Sequence, residues 1–230
     1  MMFKVDALKL RRRSWMKIAA IPYNRLGWEF EDCNDVTSED VATIKRWIKT
    51  VENGKVIRAT GQKSCGLGLI LYGEPGHGKT TLSLVILQDM LRRFPLEAFS
   101  PLENKTLVRP CYFMTFNSIL DLKGALMEGP SEDERSLFAG ILGESQDDAY
   151  NIRVLVIDDV GKEQQSGTNW HRTILHHILR TRFNNGLPTI VTSNTPLEAW
   201  SSVYGSATES FSREAFIPIE LKSPKGDLRK

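Results

Sequence analysis

Long apolar runs are missing from this chain, and cysteine is scarce. No stretch approaches the roughly 18 consecutive apolar residues that a membrane-spanning helix needs. The basic start leads into Trp15-Met16-Lys17 instead of the apolar core of a signal peptide. The three cysteines, Cys33, Cys65 and Cys111, are odd in number and too widely separated for a zinc or CxxC pattern. These absences predict a cytoplasmic protein without a membrane segment, a disulfide framework or a zinc site.

A strong excess of charge of one sign is also missing, since the net charge is only +2, but the distribution along the chain is uneven. Residues 1 to 20 contain six basic side chains and one acidic one, and residues 220 to 230 contain four basic and two acidic ones. The remainder holds 20 basic and 25 acidic residues. The positive charge therefore lies in the tails, where it suits phosphate or an acidic protein face, or serves only as solvated surface.

Length and composition predict one domain with short extensions. The chain has 230 residues, 41% of them hydrophobic, which is enough for one sizeable core. Leu8 to Ala20 predicts a short basic helix, and Ile21-Pro22 breaks that pattern. We therefore place a basic N-terminal extension at 1–20 and a single domain at 21–230. A further helix is predicted after Thr37, with the apolar stripe Val41, Ile44, Trp47, Ile48 and Val51.

From Gly66 onward, short apolar runs alternate with helical stretches. Strands are predicted at Leu67–Tyr72, Val108–Phe116, Ile152–Ile157, Leu187–Thr192 and Ile217–Leu221. Helices are predicted at Lys79–Phe94, at Asn169–Asn185, and as a pair within 117–144 parted by Gly129-Pro130. Such alternation predicts an α/β fold in which helices cover both faces of a parallel sheet.

The most specific motif is Gly73-Glu74-Pro75-Gly76-His77-Gly78-Lys79-Thr80, which matches GxxxxGK[ST] between a predicted strand and a predicted helix. Glycines let backbone N–H groups wrap phosphates, and the helix N-terminus adds partial positive charge. Lys79 is expected to bind the β- and γ-phosphates and Thr80 to bind Mg²⁺, with Thr81 completing the phosphate contacts. His77 occupies a variable position and receives no catalytic role. The motif predicts a P-loop for ATP.

Two carboxylates, Asp158 and Asp159, follow the apolar run Val154-Leu155-Val156-Ile157. An acid at such a strand end supports Mg²⁺ in P-loop enzymes, and a following acid can orient the attacking water. We assign Asp158 to Mg²⁺ and Asp159 to water, with Glu163 as the competing base. The alternative for either residue is an ordinary turn aspartate.

Asn194 closes another predicted strand, where its amide suits the γ-phosphate or the attacking water, or simply a turn before Thr195-Pro196. The helix predicted at Asn169–Asn185 carries three histidines. His176 and His177 fall outside its apolar stripe, and His171 is expected to be partly buried. No pair among these histidines has the i, i+4 spacing of metal ligands, so no metal role is predicted for them.

Several segments together resemble the DnaC and IstB type of AAA+ ATPase, over about residues 20 to 230. The segments are Ile21-Pro22, Phe30-Glu31-Asp32, Leu71-Tyr72-Gly73 with the P-loop, Val156-Ile157-Asp158-Asp159-Val160-Gly161, Leu179-Arg180-Thr181-Arg182-Phe183 and Pro188-Thr189-Ile190-Val191-Thr192-Ser193-Asn194. The resemblance implies a five-stranded AAA+ core that binds ATP with Mg²⁺. It also implies an arginine finger, for which Arg213 in Phe211-Ser212-Arg213 is the candidate, and self-association through that residue. Arg229 is a weaker candidate for a nucleotide sensor.

The same resemblance implies an ATP-dependent loader of a replicative DNA helicase that binds single-stranded DNA, and the chain's compactness favours a phage protein in a bacterial cell. Only 17 residues follow Arg213, so no C-terminal helical lid is expected. Asp159 is shorter than the Glu of many AAA+ enzymes, which predicts slow, partner-stimulated hydrolysis. The alternatives are an IstB-like transposition ATPase on duplex DNA and a nucleotide-gated adaptor without hydrolysis.

The DNA and helicase contacts are also predicted from the resemblance. Related ATPases carry an extra helix for single-stranded DNA at the place of the 117–144 pair. Lys123, Phe113 and Phe116 are therefore candidate DNA contacts, but the two aromatics fit a core strand better, and an ordinary exposed position is the alternative for Lys123. Helicase docking is assigned to the basic helix from Lys9 to Lys17 or to another protein.

Overall fold

The computed structural model describes residues 2–33, 36–52, 66–95, 106–162 and 170–222, with side chains described from Lys9 onward. The helices are α1 Met2–Ile18, α2 Ser38–Glu52, α3 Lys79–Arg93, α4 Phe116–Ala125, α5 Glu132–Leu142, α6 Trp170–Asn184, α7 Trp200–Tyr204 and α8 Ser206–Ala215. The strands are β1 Gly68–Tyr72, β2 Cys111–Thr115, β3 Val154–Val160, β4 Thr189–Ser193 and β5 Phe216–Glu220. Single 3₁₀ turns lie at Tyr23–Arg25, Phe30–Asp32, Asp148–Tyr150 and Leu197–Ala199.

The five strands form one parallel sheet in the order β2-β3-β4-β1-β5. Alternate strand residues face opposite sides, and each side has its own core. One core packs α1, α2 and α3 against residues such as Leu69 and Val156. The other packs α4 to α8 against residues such as Ile70 and Leu155. The predicted five-stranded parallel sheet flanked by helices is confirmed.

Two of the differences between the predicted and the observed strand boundaries have local reasons. Phe116, predicted as the last residue of a strand, instead begins α4, because the Thr115 side chain accepts a hydrogen bond from the backbone N–H of Ser118 and caps the helix. The third strand continues past Ile157 through both aspartates to Val160. The two carboxylates therefore belong to the sheet and do not follow it.

The basic N-terminal helix begins earlier than predicted and lies on the sheet's first core. The indole Nε1 of Trp15 donates to the carbonyl of Leu107 at 3.0 Å, and Trp15 is buried. Arg12 donates to the carbonyls of Arg92 and Phe94 at the end of α3. These contacts hold α1 against the α3 end, while the division into an extension and a domain at residue 20 stays a prediction.

Beyond β5 the described chain continues only to residue 222 and contains no helix there. None of the described helices is long and apolar enough to cross a membrane. Cys111 is buried and Cys33 is half-buried, whereas Cys65 lies outside the described residues. His171 is buried, His177 is exposed, and His176 bonds to the hydroxyl of Thr208 at 3.1 Å.

Candidate nucleotide site

The glycine-rich loop connects the carboxyl end of β1 to the first turn of α3. Gly73 has φ 144°, and a Cβ there would lie 2.4 Å from the carbonyl oxygen of Leu221. Gly78 has φ 72° at the N-cap position, directly before Lys79. Glycine adopts positive φ values without steric cost because it has no Cβ. The loop therefore presents the amino end of a 15-residue helix to a cavity.

Lys79 lies in the centre of the loop with 7% of its surface exposed. Its Nζ donates to the carbonyls of Gly73 and Glu74, both at 2.7 Å. Lys79 directly follows the last glycine of the loop, and it lines the same cavity as the loop's backbone amides. Together the amides and the ammonium group suit a polyphosphate.

Asp158 is 3% exposed and lies beneath the start of α3. The Thr80 hydroxyl donates to its carboxylate, with Oδ1 and Oδ2 at 2.9 and 3.1 Å, and the Thr192 hydroxyl donates to Oδ1 at 2.6 Å. Burial raises the pKa of Asp158, while the hydrogen bonds from Thr192 and Thr80 act in the opposite direction. Thr80 and Asp158 thus supply adjacent oxygen ligands of the kind that Mg²⁺ prefers.

Asp159 sits on an irregular step of β3. Ile157 pairs with Val191 and Val160 with Ser193, so one extra residue is inserted in β3 at this point. Asp159 has φ 62°, its backbone N–H donates to Thr192 at 2.9 Å, and its carboxylate pairs with Lys162 at 2.6 Å. The bulge turns Asp159 toward the cavity, which it lines, while Asp158 stays buried.

The sheet order brings together three predicted groups that are far apart in sequence. Strands β3, β4 and β1 are neighbours, so their carboxyl ends meet. Asp159, Asn194 and the P-loop residues from Gly76 to Thr81 line one cavity of about 420 Å³. A second cavity of about 250 Å³ is lined by Gly73, Glu74, His77 and Asn194 among others. Pro75 is exposed in the loop between them.

Arg213 does not join this cluster. It lies on α8 just before β5, and Phe216 pairs with Gly68 at the start of β1. The P-loop follows the opposite end of β1, about 13 Å further along a five-residue strand. Arg213 is half exposed and pairs with Glu209 at 2.6 Å. The competing base Glu163 and the weaker candidate Arg229 lie outside the described residues.

Phe113 and Phe116 belong to the core, which is the interpretation that the sequence favoured over stacking with DNA. Phe113 is 9% exposed and Phe116 is fully buried, because each belongs to one of the two cores. Lys123 lies 4.8 Å from the centroid of the Phe138 ring. The aromatics at this place serve packing.

One wall of the cavity was missed by sequence reasoning. It consists of Arg25, Trp28, Asp32, Cys33 and Val36, which we call the Trp28 segment. The Arg25 guanidinium lies 4.5 Å from the Trp28 ring centroid. Buried Gln88 of α3 holds this segment, accepting from Gly27 N–H at 2.8 Å and donating to the Arg25 carbonyl at 2.9 Å. The only sequence signal for this wall was Phe30-Glu31-Asp32, a segment that contributed to the family resemblance but received no functional role.

Thr192 was also missed as a site residue. Its hydroxyl donates to Asp158 and accepts from the backbone of Asp159, so one side chain fixes both carboxylates. The signal for this role was its place two residues before Asn194 on the neighbouring strand.

No family model and no curated protein matches the sequence. The structure, in contrast, matches the crystal structure of DnaI with a TM-score of 0.59 at 19% identity, covering 88% of this chain and 95% of that one. The crystal structure of the DnaC helicase loader matches with a TM-score of 0.56 at 22% identity, covering 87% and 100%.

This chain has the AAA+ P-loop fold. The replication initiator DnaA, in a structure bound to AMPPCP and single-stranded DNA, matches with a TM-score of 0.57 at 14% identity, covering 90% of this chain and 53% of that one. At these identities the likeness concerns the fold.

Among the described residues, no group of three or more His, Cys, Asp and Glu side chains could hold a metal by itself. A protein-only metal centre is therefore not present in that part of the chain. The Thr80 and Asp158 pair instead fits a hard cation that takes its remaining ligands from phosphate and water.

Proposed function

We propose that this AAA+ domain binds ATP with Mg²⁺ in the cavity between the P-loop and the Trp28 segment. The bonding of Thr80 to buried Asp158 is the observation that carries this proposal, because it joins the N-terminus of α3 to an acid on β3. Lys79 and the loop amides bind the phosphates. Arg25 and Trp28 offer a cationic and an aromatic surface to the base at the cavity's far wall.

Mg²⁺ held at this site would neutralise charge on the nucleotide phosphates. Thr80 and Asp158 are the residues proposed to hold it. Asp158 keeps its carboxylate oriented through the two threonine hydroxyls, so the site is organised before the ion binds.

We assign Asp159 and Asn194 to the attacking water, since both line the cavity beside the phosphate-binding loop. The Asp159 carboxylate is paired with Lys162, which lowers its availability as a base. Hydrolysis by a single chain is therefore slow, and partner binding that displaces Lys162 accelerates it.

Arg213 completes the site of a second copy. Because it lies at the amino end of the sheet and the P-loop at the carboxyl end, it cannot reach the nucleotide of its own chain. An arginine supplied by a neighbour stabilises charge on the transferring phosphoryl group and couples hydrolysis to assembly.

The biological role that these features support best is ATP-dependent loading of a replicative DNA helicase, with single-stranded DNA as a further partner. The fold matches DnaI and the DnaC helicase loader over nearly the whole of those chains. ATP drives a loading cycle only if its affinity differs between the state that holds the helicase and the state that has released it.

Native mass spectrometry of the full chain with the helicase hexamer of its replication system tests this proposal. We expect a defined complex with Mg-ATP, which is lost without nucleotide and in Arg213→Ala. Arg180→Ala, an exposed arginine on α6, is the matched control and keeps the complex. Absence of a complex in every condition would contradict the loader proposal and favour an IstB-like transposition ATPase on duplex DNA.

One observation supports a second candidate, a nucleotide-gated adaptor without hydrolysis. Asp159 is short, sits in a left-handed conformation and is neutralised by Lys162. In that case Mg-ATP binds and drives assembly, but no phosphate is released with DNA and helicase present. A phosphate-release assay under those conditions separates the two candidates.

A further inference from the structure

The helix pair α4–α5 is poorly suited to a DNA backbone. Between residues 117 and 144 the chain has six acidic residues, Asp121, Glu128, Glu132, Asp133, Glu134 and Glu144, against the two basic residues Lys123 and Arg135. Lys123 lies over the Phe138 ring, and the neighbouring aromatics Phe113 and Phe116 are buried. A net negative surface repels phosphate, so the single-strand contact must lie elsewhere.

The outward face of α1 has the opposite character. Lys9, Arg13 and Lys17 are exposed and follow one another at i, i+4 and i+8, so they form one stripe with a rise of about 6 Å between successive charges. No acidic residue lies between Lys9 and Lys17. Within the described part of the chain, no ion pair involves any of these three cations. We call Lys9, Arg13 and Lys17 the α1 stripe.

The α1 stripe is presented by a fixed helix. On the inward face, Trp15 is 3% exposed and donates to Leu107, and Arg12 caps the last carbonyls of α3. Arg11, on the side of the helix nearer to Trp15, donates to the Thr106 hydroxyl at 2.6 Å. Among the described side chains, the three stripe cations have no acidic partner, and their backbone is held, which reduces the entropy cost of binding.

The composition of this face favours nucleic acid over a protein or a lipid surface. Among the described side chains of α1, which begin at Lys9, Leu10 is the one exposed large apolar residue, with 64% of its surface exposed. Protein interfaces have an apolar or aromatic centre, and membrane-surface helices carry a broad apolar face, but Trp15 points inward here. A line of cations with little apolar surface matches a chain of phosphates.

We infer that the α1 stripe, and not the α4–α5 pair, binds the phosphate backbone of single-stranded DNA. This inference rests on the proposed function as a DNA-contacting ATPase, and it moves the contact from the place that family resemblance indicates to the opposite face of the sheet.

The test is fluorescence anisotropy of a labelled oligothymidylate with the full chain and Mg-ATP, measured across a range of salt concentrations. Each phosphate contact to a single strand contributes about 0.7 to the slope of log K against log salt. Lys9→Gln/Arg13→Gln/Lys17→Gln is therefore expected to lower the slope by about 2 and the affinity at about 0.1 M salt by roughly a hundredfold. An unchanged slope overturns the inference.

Two further variants serve as comparisons for the stripe variant. Lys45→Gln/Arg46→Gln/Lys49→Gln removes three exposed cations from α2, so it matches the loss of net charge, and it is expected to keep the wild-type slope. Lys123→Gln/Arg135→Gln tests the α4–α5 pair and is also expected to keep it. A larger slope change in either of these than in the stripe variant contradicts the inference, provided that thermal unfolding shows all variants folded.

Other outcomes separate this inference from the loader proposal. If the stripe variant loses the helicase complex but keeps its DNA slope, the stripe contacts an acidic protein face and the inference is wrong. An equal effect with a duplex hairpin overturns the single-strand assignment. If wild type forms no helicase complex while the stripe variant loses DNA affinity, the loader proposal fails and the inference stands.

Discussion

At the scale of single residues, the buried charge of Asp158 opposes stability while it serves the proposed Mg²⁺ site. Burial raises the pKa of Asp158, so the folded state binds its proton more tightly than the unfolded state does. Stability therefore increases as pH falls through the folded-state pKa toward the lower unfolded-state pKa, and above the folded-state pKa the ionised carboxylate costs free energy. Sites that bind ions often contain such unfavourable charges.

Asp158→Asn is accordingly expected to raise the melting temperature at neutral pH without nucleotide, by about 2–4 °C for each kcal/mol of burial cost removed. The asparagine carbonyl still accepts from Thr192. The same variant is expected to lose Mg-dependent ATP hydrolysis. Thermal unfolding followed by circular dichroism and a phosphate-release assay measure the two effects.

The control is Asp159→Asn, since Asn adopts the left-handed conformation readily and the side chain is only half-buried. Its melting temperature is expected to stay near that of wild type. A lower melting temperature for Asp158→Asn would contradict the assigned effect of burial.

Whether the role of a site residue could be predicted depended on whether the sequence pattern that indicates it is local. The P-loop glycines and Lys79 form a continuous motif whose backbone requirements are visible in the sequence. Thr192 acts through the parallel register of β3 and β4, and the irregular step at Asp159 exists only once those strands pair. Trp28 joins the cavity because Gln88, 60 residues later, binds its segment. Such contacts leave no periodic pattern.

At the scale of elements, a buried arginine joins four segments. Arg182 of α6 is fully buried and donates to Thr189 Oγ1 at 2.9 Å and to the carbonyls of Ile141, Ile152, Arg153 and Pro188. None of these partners is an acid. Burial lowers the pKa of Arg182 to about 9, so the guanidinium stays charged at neutral pH.

Arg182→Met is expected to destabilise the fold by about 3–5 kcal/mol, because several buried carbonyls lose their donor at once. Arg182→Lys keeps some donors and is expected to lose less. Urea unfolding measures both. Arg180→Met on the same helix, which removes only an exposed contact with Phe211 at 5.4 Å, is the control and should cost at most about 1 kcal/mol.

The tether between α3 and the Trp28 segment is a second prediction at this scale. Gln88→Leu removes both hydrogen bonds to residues 25 and 27 while it keeps the side chain's volume. The cavity wall is then no longer preorganised, and nucleotide affinity is expected to fall roughly tenfold, which is about 1.4 kcal/mol. Calorimetric titration with nucleotide measures it.

The control lies next to Gln88. Asp89→Asn changes the adjacent side chain, which pairs with Arg93 at 2.7 Å away from the cavity, and should keep wild-type affinity. Equal affinity in Gln88→Leu and wild type would show that the Trp28 segment does not contribute to nucleotide binding.

At the scale of the whole molecule, the strand order decides what one chain can and cannot do. The order β3-β4-β1 collects the P-loop, Asp159 and Asn194 at the carboxyl end of the sheet. Because β5 runs parallel to β1, Arg213, which precedes β5, lies at the amino end. The alternation of strands and helices predicted the parallel sheet, but the order of its strands was not predicted from the sequence and is seen only in the structure.

The separation makes a prediction for mixtures of two inactive variants. Arg213→Ala keeps its own nucleotide cavity but offers no finger, whereas Asp159→Asn keeps the finger but lacks the proposed water-orienting acid. Each variant alone is expected to hydrolyse ATP poorly. In a mixture, the intact cavity of an Arg213→Ala chain can receive Arg213 from an Asp159→Asn neighbour, so activity should recover. The recovery should be greatest near equal proportions and should rise with total protein concentration, as assembly requires. A mixture no more active than the sum of its parts would mean that Arg213 does not act on a neighbouring chain.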